Sequence, residues 1–274
     1  MTTASPTDRA RGDHPGRRVL TAVEFDVLWE WLGLGATPVV LRLSSPGRTH
    51  AERRRIVAGG WDGLRQRGLA DLDGADPGIV RMMHLLAAPT GQVELRMRLG
   101  RELRVLAAGR PGGAVLAVRQ DETVTLDGAT DPVSAALGAL PPEPAGPGGS
   151  VTLPSADLEA ATGRAARGAG RHDVAGALAE RGVPECDATL LAGVLRAGTR
   201  RGQLSVLAAD PWGVLHRHRK VLGLVDTPRG RYLMHREPAD DGVEWTTLAP
   251  VDLNRLRHRT RLLLDEARSR AARH

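Results

Sequence analysis

Few residues in this chain have the types and spacing that chemistry requires. His216 and His218 lie two apart on an expected strand, so both imidazoles would share one face. Such a pair could hold a metal if a carboxylate joined it; otherwise it is a polar strand face beside Arg217 and Arg219. His172-Asp173 is half of a catalytic pair with no partner serine indicated, and an aspartate at a helix start explains it as well. Asp71, Asp73 and Asp76 match a calcium loop in composition only. No bidentate glutamate follows at the required position, and a helix cap within a turn accounts for them. Cys186, the sole cysteine, lacks a placed base. There is no Walker loop, no dinucleotide fingerprint after a strand and no G-x-S-x-G elbow. An enzyme built on this chain would need His172, His216 or His218 to converge with carboxylates in a deep pocket. The expectation is no catalytic residue, no metal and no cofactor.

The elements that would position any site are laid out twice. Alternating segments at 92–98, 101–106, 114–118 and 122–126 are matched by segments at 203–207, 220–225, 231–234 and 243–248. Gly91-Gln92 opens the first cluster and Gly202-Gln203 the second, and helical stretches precede both. Clustered hairpins imply antiparallel pairing and an α+β class. Such a duplicated unit forms a quasi-two-fold platform suited to presenting a surface.

Local signals mark the boundaries. Residues 1–17 are polar, without apolar periodicity, and are expected to form a disordered tail. Thr21-Ala22-Val23-Glu24 is a capping box before Phe25, Leu28, Trp29 and Leu32 on one helix face. Residues 38–43 suggest a strand, and 49–67 a helix. Asp76-Pro77 and Asp131-Pro132 are helix starts, with aspartate at the cap and proline at the first turn. Residues 141–149 hold four prolines and three glycines, the composition of a linker. The expected organisation is therefore an N-terminal helix/sheet half at 18–140, a linker at 141–150, and a C-terminal half with a final helix at 151–274. Ser155 is expected to cap the first helix after the linker, Pro184 to start another, and Pro250 to begin the last.

Bulk composition bounds the partners. A chain of 274 residues should bury about 75% of its unfolded surface, and 41% apolar content supports an ordinary core. Net charge is +6 and the pI is about 10.8. Lys220 is the only lysine, so the basicity is arginine scattered among acids rather than one block. A basic nucleic-acid-binding or regulatory module is the alternative, but it rests on pI alone and makes nucleic acid an unlikely partner. One cysteine excludes an internal disulfide and fits a reducing cytosol. No run of about 18 apolar residues is present to span a membrane.

Four segments resemble the EspG family, cytosolic proteins associated with ESX (type VII) secretion in actinobacteria. Leu20-Thr21-Ala22-Val23-Glu24-Phe25-Asp26-Val27-Leu28-Trp29 is similar to the family's opening helix. Ser45-Pro46-Gly47-Arg48-Thr49 with Glu52-Arg53, then Arg67-Gly68-Leu69-Ala70, resemble the passage into its second helix and that helix's end. Asp226-Thr227-Pro228-Arg229-Gly230-Arg231-Tyr232-Leu233 resembles its late hairpin. The resemblance implies a central antiparallel sheet with flanking helical bundles. It also implies a chaperone that holds the tip of a helical secreted protein, PE/PPE-like or WXG100-like. The family's contact uses a loop between two strands, the sheet face and the C-terminal helical region. Carried onto this chain, that points to Arg98, Leu99, Gly100 and Arg101, and to Leu253 and Leu256. Leu99-Gly100 is a tight hairpin here, too short for a long clasping loop.

Overall fold

The computed structural model describes residues 16–273, so the expected tail at 1–17 lies almost wholly outside the described residues. Eleven strands form one antiparallel sheet. The first half contributes β1 (Arg18–Thr21), β2 (Gly91–Leu99), β3 (Arg101–Arg110), β4 (Gly113–Gln120) and β5 (Thr123–Ala129). The second contributes β6 (Val151–Pro154), β7 (Arg200–Ala209), β8 (Leu215–Arg217), β9 (Leu222–Thr227), β10 (Gly230–Pro238) and β11 (Glu244–Pro250). Their order is β1-β5-β4-β3-β2-β7-β9-β10-β11-β6, with β8 beside β7. Read outward from the β2–β7 seam, the two halves are the same list: β2 with β7, β3 with β9, β4 with β10, β5 with β11, β1 with β6. The duplication expected from the sequence is thus a quasi-two-fold about the seam, and the sheet is continuous across it.

Helices repeat the plan. α1 (Ala22–Trp31), α2 (His50–Gln66) and α3 (Pro77–Ala87) lie between β1 and β2, and α4 (Pro132–Gly138) follows β5. α5 (Ser155–Ala166), α6 (Arg171–Ala179) and α7 (Glu185–Ala197) lie between β6 and β7, and α8 (Leu253–Ala271) follows β11. Each strand's period-two pattern feeds opposite faces. Val93, Leu95, Val105, Leu204, Val206 and Leu224 face α4 and α8 in one core. On the opposite face, Leu106, Val115 and Val124 meet α1–α3, while Val225, Tyr232 and Leu248 meet α5–α7. Two separate bundles therefore stand on one face of one sheet.

The caps follow the expected chemistry. Thr21 Oγ1 accepts from the Glu24 amide at 3.1 Å and Glu24 Oε2 accepts from the Thr21 amide at 2.7 Å. Asp76 and Asp131 cap α3 and α4 by accepting from Ile79 and Ser134. Asp71 accepts from the amides of Asp73 and Gly74, a turn as expected. Pro250 ends β11 rather than beginning the last helix, which Asp252 caps, and two further expectations fail. Residues 38–43 contain a 3-10 turn, Val39–Leu41, not a strand. The carbonyls of Val40 and Leu41 are taken by Arg104 and Arg119, so no strand partner is needed. Ser155 is not a cap: Pro154 occupies that place, and the Ser155 hydroxyl is 2.7 Å from that of Thr246.

Residues 141–149 are a strap fixed to β10. Arg231 donates from its backbone to Pro144 and accepts from Gly146. Its guanidinium reaches both Asp226 oxygens at 2.6 and 2.9 Å and the Pro141 carbonyl at 3.1 Å. Both side chains of the ion pair are 1–2% exposed. Gly146 must be glycine because a Cβ there would sit 2.2 Å from the Tyr232 ring. Removing one member of a buried pair strands the other charge. Asp226→Ala should therefore cost about 3–5 kcal/mol by denaturant unfolding, and limited proteolysis should begin to cut within 141–149.

Burial pushes the Asp131 carboxyl up, but hydrogen bonds from Ser134 and the charge of Arg261 outweigh it and hold the group below the usual carboxylate range. A depressed folded pKa gives stability that is present above the unfolded value, about 3.9, and is lost as pH falls through the folded value. Urea midpoints measured downward from pH 5 should fall for the wild type and fall less for Asp131→Asn. Asp131→Ala should cost about 0.5–2 kcal/mol at neutral pH as a lost cap.

Candidate partner-binding surface

Between the two bundles the seam strands are left bare on one face toward the β2–β3 hairpin, and are buried toward their other end. β2 presents Gln92, Glu94, Arg96 and Arg98 there, and β7 presents Arg201, Gln203, Ser205 and Leu207, since the register pairs Arg98 with Arg201, Arg96 with Gln203 and Glu94 with Ser205. Arg96, Arg98, Arg201 and Gln203 are exposed. Gly223 and Met234 extend the same face onto β9 and β10. The groove holds about 590 Å³. Its chemistry is cationic and hydrogen-bonding on a rigid backbone ladder.

One end of the groove is a closed polar network. Arg217 donates to Glu94 at 2.6 Å and to the Ser205 hydroxyl, and Gln92 donates to Glu94 at 3.0 Å. Glu94 is almost fully buried, so this pairing satisfies a carboxylate the groove floor would otherwise strand. The other end is the β2–β3 hairpin. Leu99 pairs with Arg101 across Gly100 alone, whose φ of +77° is in the left-handed region that glycine tolerates. The hairpin is tight, as its sequence indicates.

The sequence-derived residues divide by placement. Arg98 and Arg101 are exposed, and Arg101 pairs with Asp121 at 2.8 Å with both side chains largely solvated. Leu99 and Leu253 are partly buried against one core cluster. Strand directions bring the hairpin and the start of α8 to the same end of the sheet, because β2, β9 and β11 all terminate there. Leu256 is different: it is fully buried in that core, so its side chain anchors α8 rather than facing a partner. Arg96, Arg201 and Gln203 were not singled out in the sequence; the signal was strand alternation, which places them on Arg98's face once the β2–β7 pairing is known.

The groups weighed for catalysis are dispersed. His216 Nε2 is 2.8 Å from Asp210, while His218 is 3.5 Å from Glu266 of α8. Asp173 accepts from the Gly170 amide at a helix start. Cys186 is exposed and free. Among the described residues no three His, Cys, Asp or Glu side chains are grouped to hold a metal, and no helix is long and apolar enough to cross a membrane.

A model of the EspG family matches residues 21–261. The chain belongs to the EspG family. It is 30% identical over 253 residues to the ESX-3 secretion-associated protein EspG3 of Mycolicibacterium smegmatis, covering 86% of this chain and 82% of that protein. Its fold matches that of the Mycobacterium tuberculosis type VII secretion system chaperone EspG5, solved in complex with a PE25-PPE41 dimer. That match has a TM-score of 0.72 at 18% identity, over 91% of this chain and 96% of the other. The quasi-two-fold α+β architecture is the EspG architecture.

The Glu94 network gives a direct check on the groove floor. Arg217→Ala should cost about 1–3 kcal/mol in chemical unfolding, because it leaves a buried carboxylate short of its donor, and Glu94→Gln in the same background should restore part of it.

Proposed function

We propose that this chain is a cytosolic chaperone that holds a helical type VII secretion substrate, PPE-like or WXG100-like, soluble until export. The observation that carries the reading is the bare seam between two bundles, lined by Arg96, Arg98, Arg201 and Gln203 on a preformed sheet. Membership of the EspG family and a fold like that of EspG5, solved with PE25-PPE41, support it. A rigid sheet face loses little conformational freedom on binding. Helix C-termini carry partial negative charge, so exposed arginines attract the end of a helical cargo. Shielding an apolar tip calls for an interface of roughly 1,200–2,000 Å², more than the groove alone supplies. The hairpin at Arg98–Arg101 extends it, and the start of α8 at Leu253 reaches the same end of the sheet from the opposite face. The work is binding, with no bond made or broken.

The test is co-purification with a PE–PPE pair encoded beside the gene, followed by calorimetry. A stable ternary complex whose affinity falls with added salt is the expected result. Reversing both hairpin charges, Arg98→Glu with Arg101→Glu, should weaken it about tenfold. Absence of any complex with a neighbouring helical secretion substrate would overturn the function. Unchanged affinity on charge reversal would remove the hairpin from the interface.

A further inference from the structure

A second cavity, sharing no lining residue with the seam groove, lies on the outer side of α7. It holds about 500 Å³, within the roughly 300–1,000 Å³ of small-molecule sites. Its walls are α7, the fixed strap and the turn between β9 and β10, with Leu190, Val194 and Tyr232 among the lining side chains. One glycine shapes it. Gly148 lets the strap close on Leu190, where a Cβ would come within 2.9 Å, and the Arg171 guanidinium lies over α7 beside Gly193.

The lining side chains include three arginines, Arg171, Arg196 and Arg229, and no carboxylate. Arg171 lies 3.5 Å from the Thr189 carbonyl and Arg196 donates to the Ala169 carbonyl, both neutral acceptors. All three arginines are exposed. An apolar chamber with three guanidinium groups not offset by a lining carboxylate is complementary to a ligand that is greasy at one end and anionic at the other.

We infer that this cavity is a binding site for a small anionic amphiphile, such as a medium-chain fatty carboxylate, its chain among Leu190, Val194 and Tyr232 and its head group among the arginines. Cys186 lines the cavity and is the only cysteine, so its alkylation rate reports occupancy at one place.

The experiment follows maleimide labelling of Cys186 in the full chain with dodecanoate below its micellar concentration, and binding by calorimetry. Dodecanoate should slow labelling about tenfold at saturation, whereas dodecyltrimethylammonium and a neutral alkyl maltoside should not. Arg171→Glu and Arg229→Glu, both at exposed positions, should each weaken dodecanoate about tenfold, and Thr189→Trp should block it by filling the mouth. Unchanged labelling of the wild type, equal protection by all three head groups, or undiminished binding by both charge reversals would overturn the site. Protection by phosphatidylglycerol vesicles but not by free dodecanoate would also overturn it, in favour of a membrane-facing surface. None of these outcomes depends on cargo binding at the seam.

Discussion

The buried Arg231–Asp226 pair is the constraint on which the second half of the molecule depends. Its guanidinium satisfies two carboxylate oxygens and the Pro141 carbonyl, while its own backbone bonds Pro144, Gly146 and Val251. One residue thus ties together the end of β9, the strap leaving the first half and the segment entering α8. Burying two charges is expensive, and here every oxygen of the carboxylate has a donor, which is the condition under which such a pair is tolerated. Tyr232, next in the chain, continues the clamp by donating to the Pro147 carbonyl at 2.8 Å.

With the strap fixed, the two halves share one sheet and the β2–β7 seam becomes their common floor. Each half covers its own outer strands with three helices, and neither covers the seam. The groove is therefore a product of the duplication, since two copies of a bundle-on-sheet unit joined edge to edge leave a strip that belongs to neither bundle. The halves then diverge at their hairpins. The first ends in a minimal turn at Gly100. The second has a longer turn in which Asp210 accepts from the amides of Trp212 and Val214, leaving Trp212 largely exposed.

Much of this was legible in the residues. The Thr21–Glu24 box, the Asp-Pro helix starts and the repeated hairpins carry local chemistry that tertiary context did not override. β1 and β6 were not legible: four residues are too few to show alternation, and each is defined by a partner at the far end of its own half. The strap was read as a linker because Pro and Gly serve a slack connector and a closely packed one equally well; only the Tyr232 ring against Gly146 separates the two. The strand expected at 38–43 fails for a related reason. Its apolar run is held by arginine side chains from β3 and β4 rather than by a neighbouring ladder. The groove arginines needed the seam register, a pairing between residues more than a hundred positions apart. The high arginine content also reads differently in three dimensions. Arg18, Arg53, Arg67, Arg104 and Arg231 are engaged in ion pairs within the fold, which leaves less of the charge for outside partners.

β1 and β6 close the two rims of a wide sheet with only four residues apiece, and β6 stops at a proline that has no amide to offer. A long open rim would invite another copy to stack on and start a fibril. Stubby borders deny that template. A chaperone of the kind proposed is by this device kept from becoming a sticky client itself.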